Sequence, residues 1–114
     1  CWTDPEGTPS AVVPASVNNR TPKLVNDLNL RLSDGSTTAQ PWVLDPNAPA
    51  SPATRGDNIR DNVEQVYIAN PQPGQAYTLH VSHKGRMTYN SQPFSLIVSG
   101  LRRVNCHLTA TLQP

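Results

Sequence analysis

Apolar and polar residues alternate along much of this chain. Leu24, Asn26, Leu28, Leu30 and Leu32 fall on one side of a period-two pattern, with Val25, Asp27, Asn29 and Arg31 on the other. That period belongs to a β-strand, whose successive side chains point to opposite faces. Asp34-Gly35 then predicts a tight turn. Pro41-Trp42-Val43-Leu44 predicts a short strand, followed by a loop over 45–58 that carries Pro46, Pro49 and Pro52. Asn62 to Ile68 alternates, with Val66 and Ile68 on one face and Val63, Gln65 and Tyr67 on the other. After the turn Pro71-Gln72-Pro73-Gly74 the pattern returns over Gln75 to His83, with Tyr77, Leu79 and Val81 facing a core. Lys84-Gly85 turns the chain again. In Pro93 to Ser99, Phe94, Leu96 and Val98 alternate with Ser95, Ile97 and Ser99. Residues 4–23 are rich in Pro, Ser, Thr and Asn and read as a long loop. No stretch keeps helical periodicity beyond two turns. Regularly spaced strands with turn signals between them predict an all-β protein, a jelly-roll-like antiparallel β-sandwich.

Past Gly100 the alternation resumes. Val104, Cys106, Leu108, Ala110 and Leu112 lie on one side, and Asn105, His107, Thr109, Thr111 and Gln113 on the other. The expected organisation is a β-sandwich domain over residues 1–100 and a tail over 101–114 that supplies an extra strand.

Length and charge narrow the partners. A chain of 114 residues is one domain by length, and its 12 prolines suit a protein of many turns. The net charge of +1, with no basic cluster beyond Arg102-Arg103, argues against a nucleic-acid footprint. No run approaches the roughly 18 apolar residues of a membrane span. The only cysteines, Cys1 and Cys106, are too far apart in sequence for a zinc knuckle or a Cys-x-x-Cys redox motif. In an oxidising compartment they can form one disulfide, within a chain or between chains.

An enzyme is not expected. His80, His83 and His107 sit in strand-like or turn contexts, and no Gly-x-Ser-x-Gly, Gly-x-Gly-x-x-Gly or Walker pattern occurs. The oxygen-rich stretch is the better candidate. Asp57, Asn58, Asp61, Asn62 and Glu64 place five oxygen-bearing side chains within eight residues, and Ca²⁺ takes six to eight oxygen ligands. With Asp27 and Asn29 from a paired strand, Asp27, Asn29, Asp57, Asp61 and Glu64 form a possible calcium site. The same residue types also make Asx turns and structural hydrogen bonds, among them an inward Asn26 facing Glu64. Arg55 and Arg60 flank the turn and are expected to neutralise it. Trp2, Trp42, Tyr67, Tyr77 and Tyr89 form no aromatic row, so packing is expected of them rather than a sugar platform.

Five landmarks, in this order and spacing, carry a resemblance that covers Trp2 to Gly100. They are Trp2-Thr3-Asp4-Pro5, Leu24-Val25-Asn26-Asp27-Leu28, the turn and strand from Gly56 to Val66, Val81-Ser82-His83-Lys84-Gly85, and Pro93-Phe94-Ser95-Leu96-Ile97-Val98-Ser99-Gly100. Together they resemble the β-sandwich domain that follows the catalytic domain in many secreted bacterial subtilisin-like serine proteases. The resemblance implies a secreted, non-catalytic accessory module that serves stability, substrate positioning or surface attachment. Its partner would be the parent protease catalytic domain. Such domains often carry Ca²⁺, although Asn29 stands where the family usually has Asp. In the family, Trp-Thr-Asp-Pro closes a longer apolar first strand, and here Cys1 comes directly before that Trp. A domain short of a strand has an open edge, and the strand-like 104–112 could fill it, in the next subunit rather than its own. The alternative reading is therefore a structural subunit of an extracellular filament. Copies would polymerise through Val104, Cys106, Leu108, Ala110 and Leu112, fastened by a Cys1–Cys106 disulfide.

Overall fold

The structure, a computed structural model, describes residues 1–100. Among the described residues the regular structure is almost all strand, in two antiparallel sheets, with only two short 3₁₀ turns at Pro14–Ser16 and Thr88–Asn90. That is consistent with an all-β protein. Strand β1 spans Asp27–Ser33, β2 Thr38–Ala39, β3 Trp42–Val43, β4 Thr54–Arg55 and β5 Thr78–Lys84. The larger sheet runs β2-β1-β5, and β3 and β4 form the smaller one. Among the described residues no helix is long and apolar enough to cross a membrane.

The two long alternating stretches find each other. β1 and β5 pair over seven positions, from Asp27 opposite Lys84 to Ser33 opposite Thr78. The register keeps Leu28, Leu30 and Leu32 opposite His83, Val81 and Leu79, and Asp27, Asn29 and Arg31 opposite Lys84, Ser82 and His80. Sequence pattern and pairing therefore agree, because a slip of one residue would turn every leucine to the wrong face. Asp34-Gly35 makes the turn into β2, with Gly35 at φ +94°. The Asp34 carboxylate accepts the Ser36 amide at 2.9 Å and the Thr37 amide at 2.7 Å. The Thr37 and Ser36 amides, then their hydroxyls, hold the Asp34 carboxyl far below the usual carboxylate range.

Two expected strands are not built as strands. Asn62 to Ile68 lies beside two other segments through single bonds, Trp2 N to the Asn62 carbonyl and Trp42 N to the Gln65 carbonyl, both 3.0 Å. Pro93 to Ser99 makes one isolated bridge, Phe94 with Trp2. Alternation states which side chains seek burial. A ladder also needs a neighbour of matching length, and among the described residues these two segments have none.

Apolar burial is sparse. Among the described residues Trp2 and Leu28 are the buried large hydrophobic side chains, joined by the fully buried Pro41. Val12, Leu44, Tyr67, Tyr89 and Ile97 are exposed. Much of the interior is polar instead, with Asn26, Asn29 and Asn58 all buried.

Candidate functional site

The polar interior gathers along one edge of β1. Strand β2 reaches only Leu32 and Ser33, so the chain from Val25 to Arg31 has no strand beside it on that side among the described residues. Side chains take the strand's place. The Asp4 carboxylate accepts the Val25 amide at 2.6 Å and the Asn26 amide at 2.8 Å. Glu64 accepts the Leu30 amide, and the Arg31 guanidinium donates to the Leu30 carbonyl at 2.8 Å. Trp2 Nε1 donates to the Asn26 carbonyl at 3.1 Å. A bare strand edge must be covered or charged, and here it is finished with carboxylates. Gly7 is needed in the same place, since a Cβ there would lie 2.9 Å from the Lys23 carbonyl oxygen.

Asn26, only 1% exposed, is the hub. Its Nδ2 donates to Gln92 Oε1 at 2.8 Å, and its Oδ1 accepts the Thr88 amide at 2.7 Å. Gln92 Nε2 in turn donates to the Thr3 carbonyl at 2.9 Å, and Asn62 Nδ2 donates to the Trp2 carbonyl at 2.6 Å. Segments from five parts of the chain meet within these bonds. Asn26 does not face Glu64, as the sequence had suggested.

A second cluster lies on the Asp27 face of the β1–β5 pair. Asp57 Oδ1 accepts Arg31 Nη2 at 2.7 Å, and its other oxygen meets Lys84 Nζ. Lys84 Nζ is also 3.4 Å from Asp27 Oδ2, and Arg31 Nη1 is 3.8 Å from Glu64 Oε2. The register explains the arrangement, because it sets Lys84 directly opposite Asp27. Lys84, then Arg31, holds the Asp57 carboxyl below its ordinary value, against the opposing pull of burial. Burial raises Glu64, whose side chain is 3% exposed, above its ordinary value, although the Leu30 amide and Arg31 act the other way. Asp27 Oδ1 and Glu64 Oε1 are buried without a hydrogen-bond partner among the described residues.

Of the five possible calcium ligands, Asp27, Asp57 and Glu64 collect around Arg31 and Lys84. Asn29 Oδ1 accepts Arg31 Nη2 at 3.3 Å. Asp61 turns away and accepts Asn58 Nδ2 at 3.0 Å, inside an Asx turn in which Asn58 Oδ1 accepts the Arg60 and Asp61 amides. Both cationic heads stand among the carboxylates, so the set fits an internal ion-pair network better than a cage for Ca²⁺. Among the described residues no three His, Cys, Asp or Glu side chains converge as metal ligands. The neutralising cations are also not the expected ones. Arg55 lies over the Trp42 ring at 4.6 Å and donates to the Gln40 and Tyr67 carbonyls, and Arg60 donates to the Arg20 carbonyl. Arg31 and Lys84 neutralise the turn instead, and their signal was present in the alternation. Arg31 shares the Asp27 face, and antiparallel pairing of the two seven-residue patterns brings Lys84 beside it.

The remaining candidates are quickly placed. His83 Nδ1 lies 2.9 Å from the Gly85 carbonyl oxygen, and His80 is exposed opposite Arg31. Cys1 is exposed beside Ser95. Cys106 and the whole assembly strand, Val104, Leu108, Ala110 and Leu112 included, lie outside the described residues. Comparison of the chain with known protein families, with curated proteins and with solved structures finds no match.

Proposed function

We propose that this chain is a non-catalytic accessory module, a β-sandwich domain of a secreted subtilisin-like serine protease. One observation carries the reading. The residues of the family landmarks meet in the hydrogen bonds around Asn26, where Trp2, Thr3, Asp4, Val25 and Asn62 each take part. A motif whose polar groups are saturated by one another holds segments together and offers no group to a substrate. The module would act by docking against its catalytic domain, and the exposed apolar side chains supply surface for such contact.

The test uses the native polypeptide. It is captured with an antibody to this domain and treated with a fluorophosphonate that labels active serine nucleophiles. The expected result is label on a polypeptide larger than 12.4 kDa, with the isolated chain unlabelled. Stoichiometric labelling of the isolated chain overturns the reading. A captured species of 12.4 kDa that sediments as a polymer replaces it with the second one, a structural subunit of an extracellular filament. Exposed Cys1, bonded to Ser95 in a segment whose Phe94, Ile97 and Val98 are also exposed, is the surface that favours that alternative.

A further inference from the structure

Residues 8–22 leave the body of the fold and return to it at one point. Gly7 and Lys23 meet there, with the Lys23 carbonyl oxygen 2.9 Å from where a Gly7 Cβ would lie. An irregular segment with closed ends is an Ω-loop. Among the described residues its backbone-to-backbone bonds all stay inside it. The Val13 amide donates to the Ala11 carbonyl, the Ser16 amide to Val13, the Val17 amide to Pro14 and the Asn19 amide to Ser16. The Ser16 hydroxyl donates to the Val13 carbonyl at 2.8 Å and lies against the Ala11 carbonyl. Ties to the body come at one foot, from Arg20 to Asn47 Oδ1 at 2.9 Å and from Arg60 to the Arg20 carbonyl. An Ω-loop ordinarily packs its own side chains inward. Here Val12 is fully exposed, Val17 is 70% exposed, and Val13, Ala11 and Ala15 are exposed with them.

We propose that this loop is a processing site for an endopeptidase whose primary pocket takes a small aliphatic side chain, and that the two pieces stay together after the cut. Exposed loop tips of small residues are where chains are nicked. An endopeptidase takes its substrate as an extended strand, so the loop must open first. Only its own turns and the Arg20 foot resist, and the β1–β5 ladder stays closed meanwhile. Val13 (φ −137°, ψ 154°) and Val17 (φ −61°, ψ 130°) already have extended backbone on either side of the short 3₁₀ turn. The bonds that qualify follow Val12, Ala15 and Val17. Val13–Pro14 does not, because the Pro14 nitrogen carries a ring in place of a hydrogen. In the cut, water adds across one amide. The carbonyl carbon keeps the oxygen as a carboxylate, and the nitrogen leaves as an amine with the proton. The loop between β3 and β4 also exposes a small residue, Ala50, but it carries Pro46, Pro49 and Pro52 and its ends are zipped by Trp42–Arg55 and Val43–Thr54.

The piece ahead of the cut has its own hold on the body. Trp2 is buried, its amide donates to the Asn62 carbonyl at 3.0 Å and its indole to the Asn26 carbonyl at 3.1 Å. Asp4 accepts the Val25 and Asn26 amides, and the Ser95 amide donates to the Cys1 carbonyl at 2.8 Å. None of these bonds passes through residues 8–22, so hydrolysis there breaks none of them.

The probe is pancreatic elastase, whose primary pocket is small, acting on the full chain in native buffer. Mass spectrometry should place the first cut after Val12, Ala15 or Val17. A triple variant, Val12→Glu with Ala15→Glu and Val17→Glu, changes exposed positions alone. It should keep the urea midpoint and slow the first cut at least about tenfold, since cleavage tracks both the open population and the fit of the side chain. The nicked chain should elute from a sizing column as one peak holding both pieces, which separate only in denaturant. A first cut outside residues 11–18, an unchanged rate in the triple variant, or pieces that part in native buffer overturns the proposal.

Discussion

The β1–β5 pair and the segment 93–99 make an instructive contrast. Both alternate cleanly in sequence. One is zipped along seven positions with Leu28 buried beneath it. The other holds on by one bridge, with Ile97 and Val98 in the open. The difference lies in the neighbours rather than in the residues. β1 has β5 on one side and, on the other, carboxylates and an indole that finish its edge. Residues 93–99 have Cys1 and Trp2 for two positions and then no neighbour among the described residues. Apolar alternation is thus a demand for cover, and a ladder forms only where the chain supplies the cover.

The widest gap between the two regions should appear on truncation. Leu28→Ala should cost ~2–5 kcal/mol, the range for a buried leucine, whereas Ile97→Ala should stay within ~0.5 kcal/mol. Urea unfolding of both variants checks the pair, and equal losses would erase the distinction. Next comes the hub. Asn26→Ala strands the Thr88 amide and Gln92 and should cost ~2–4 kcal/mol, read by the same unfolding curves. A loss no greater than that of Ile97→Ala would remove Asn26 from the centre of the fold.

A smaller effect concerns pH. The Glu64 carboxyl is raised by burial above its ordinary 4.5. Between that value and the raised one, the folded chain keeps a proton that the unfolded chain has lost, so stability falls as pH rises through this window. Asp57 acts in the opposite sense, its contribution present above its ordinary 3.8 and lost as pH falls below it. Glu64→Gln keeps an acceptor for the Leu30 amide and cannot ionise. It should gain on the unaltered chain as pH climbs above about 4.5, measured as the shift in urea midpoint across a pH series. A difference independent of pH would mean that Glu64 does not titrate in that window.

The smallest expected effect is that of calcium. With Lys84 and Arg31 among the carboxylates, chelator and added Ca²⁺ should leave the melting temperature unchanged. Saturating a real site would add ~2.7 kcal/mol at a hundredfold excess over its Kd, or more than about 10 °C for a domain of this size. A rise of that order would show that Ca²⁺ displaces the two cationic heads.

How much of this was legible in the sequence follows from the same contrast. The leucine face of β1, its match to Leu79 and Val81, and the Asp34-Gly35 turn are local patterns, and the structure builds them. The 62–68 and 93–99 strands were expected from their alternation and are not built as strands, because a ladder depends on a partner distant in sequence. The acidic turn was visible as a cluster, but its role was not. Arg31 and Lys84 are 53 positions apart, and only the β1–β5 register makes them its counter-ions. Asp4 was visible only as part of a landmark and Gln92 gave no signal, since a single side chain that bonds a distant segment leaves no period behind.

Carboxylates, rather than a strand, close the β1 edge between Val25 and Leu30. Site-resolved amide exchange in the full chain tests it most directly. The Val25, Asn26 and Leu30 amides should be as protected as those between β1 and β5. Asp4→Ala should release the first two and Glu64→Ala the third. Exchange at the rate of an open loop in the unaltered chain, or protection that survives both substitutions, would contradict it.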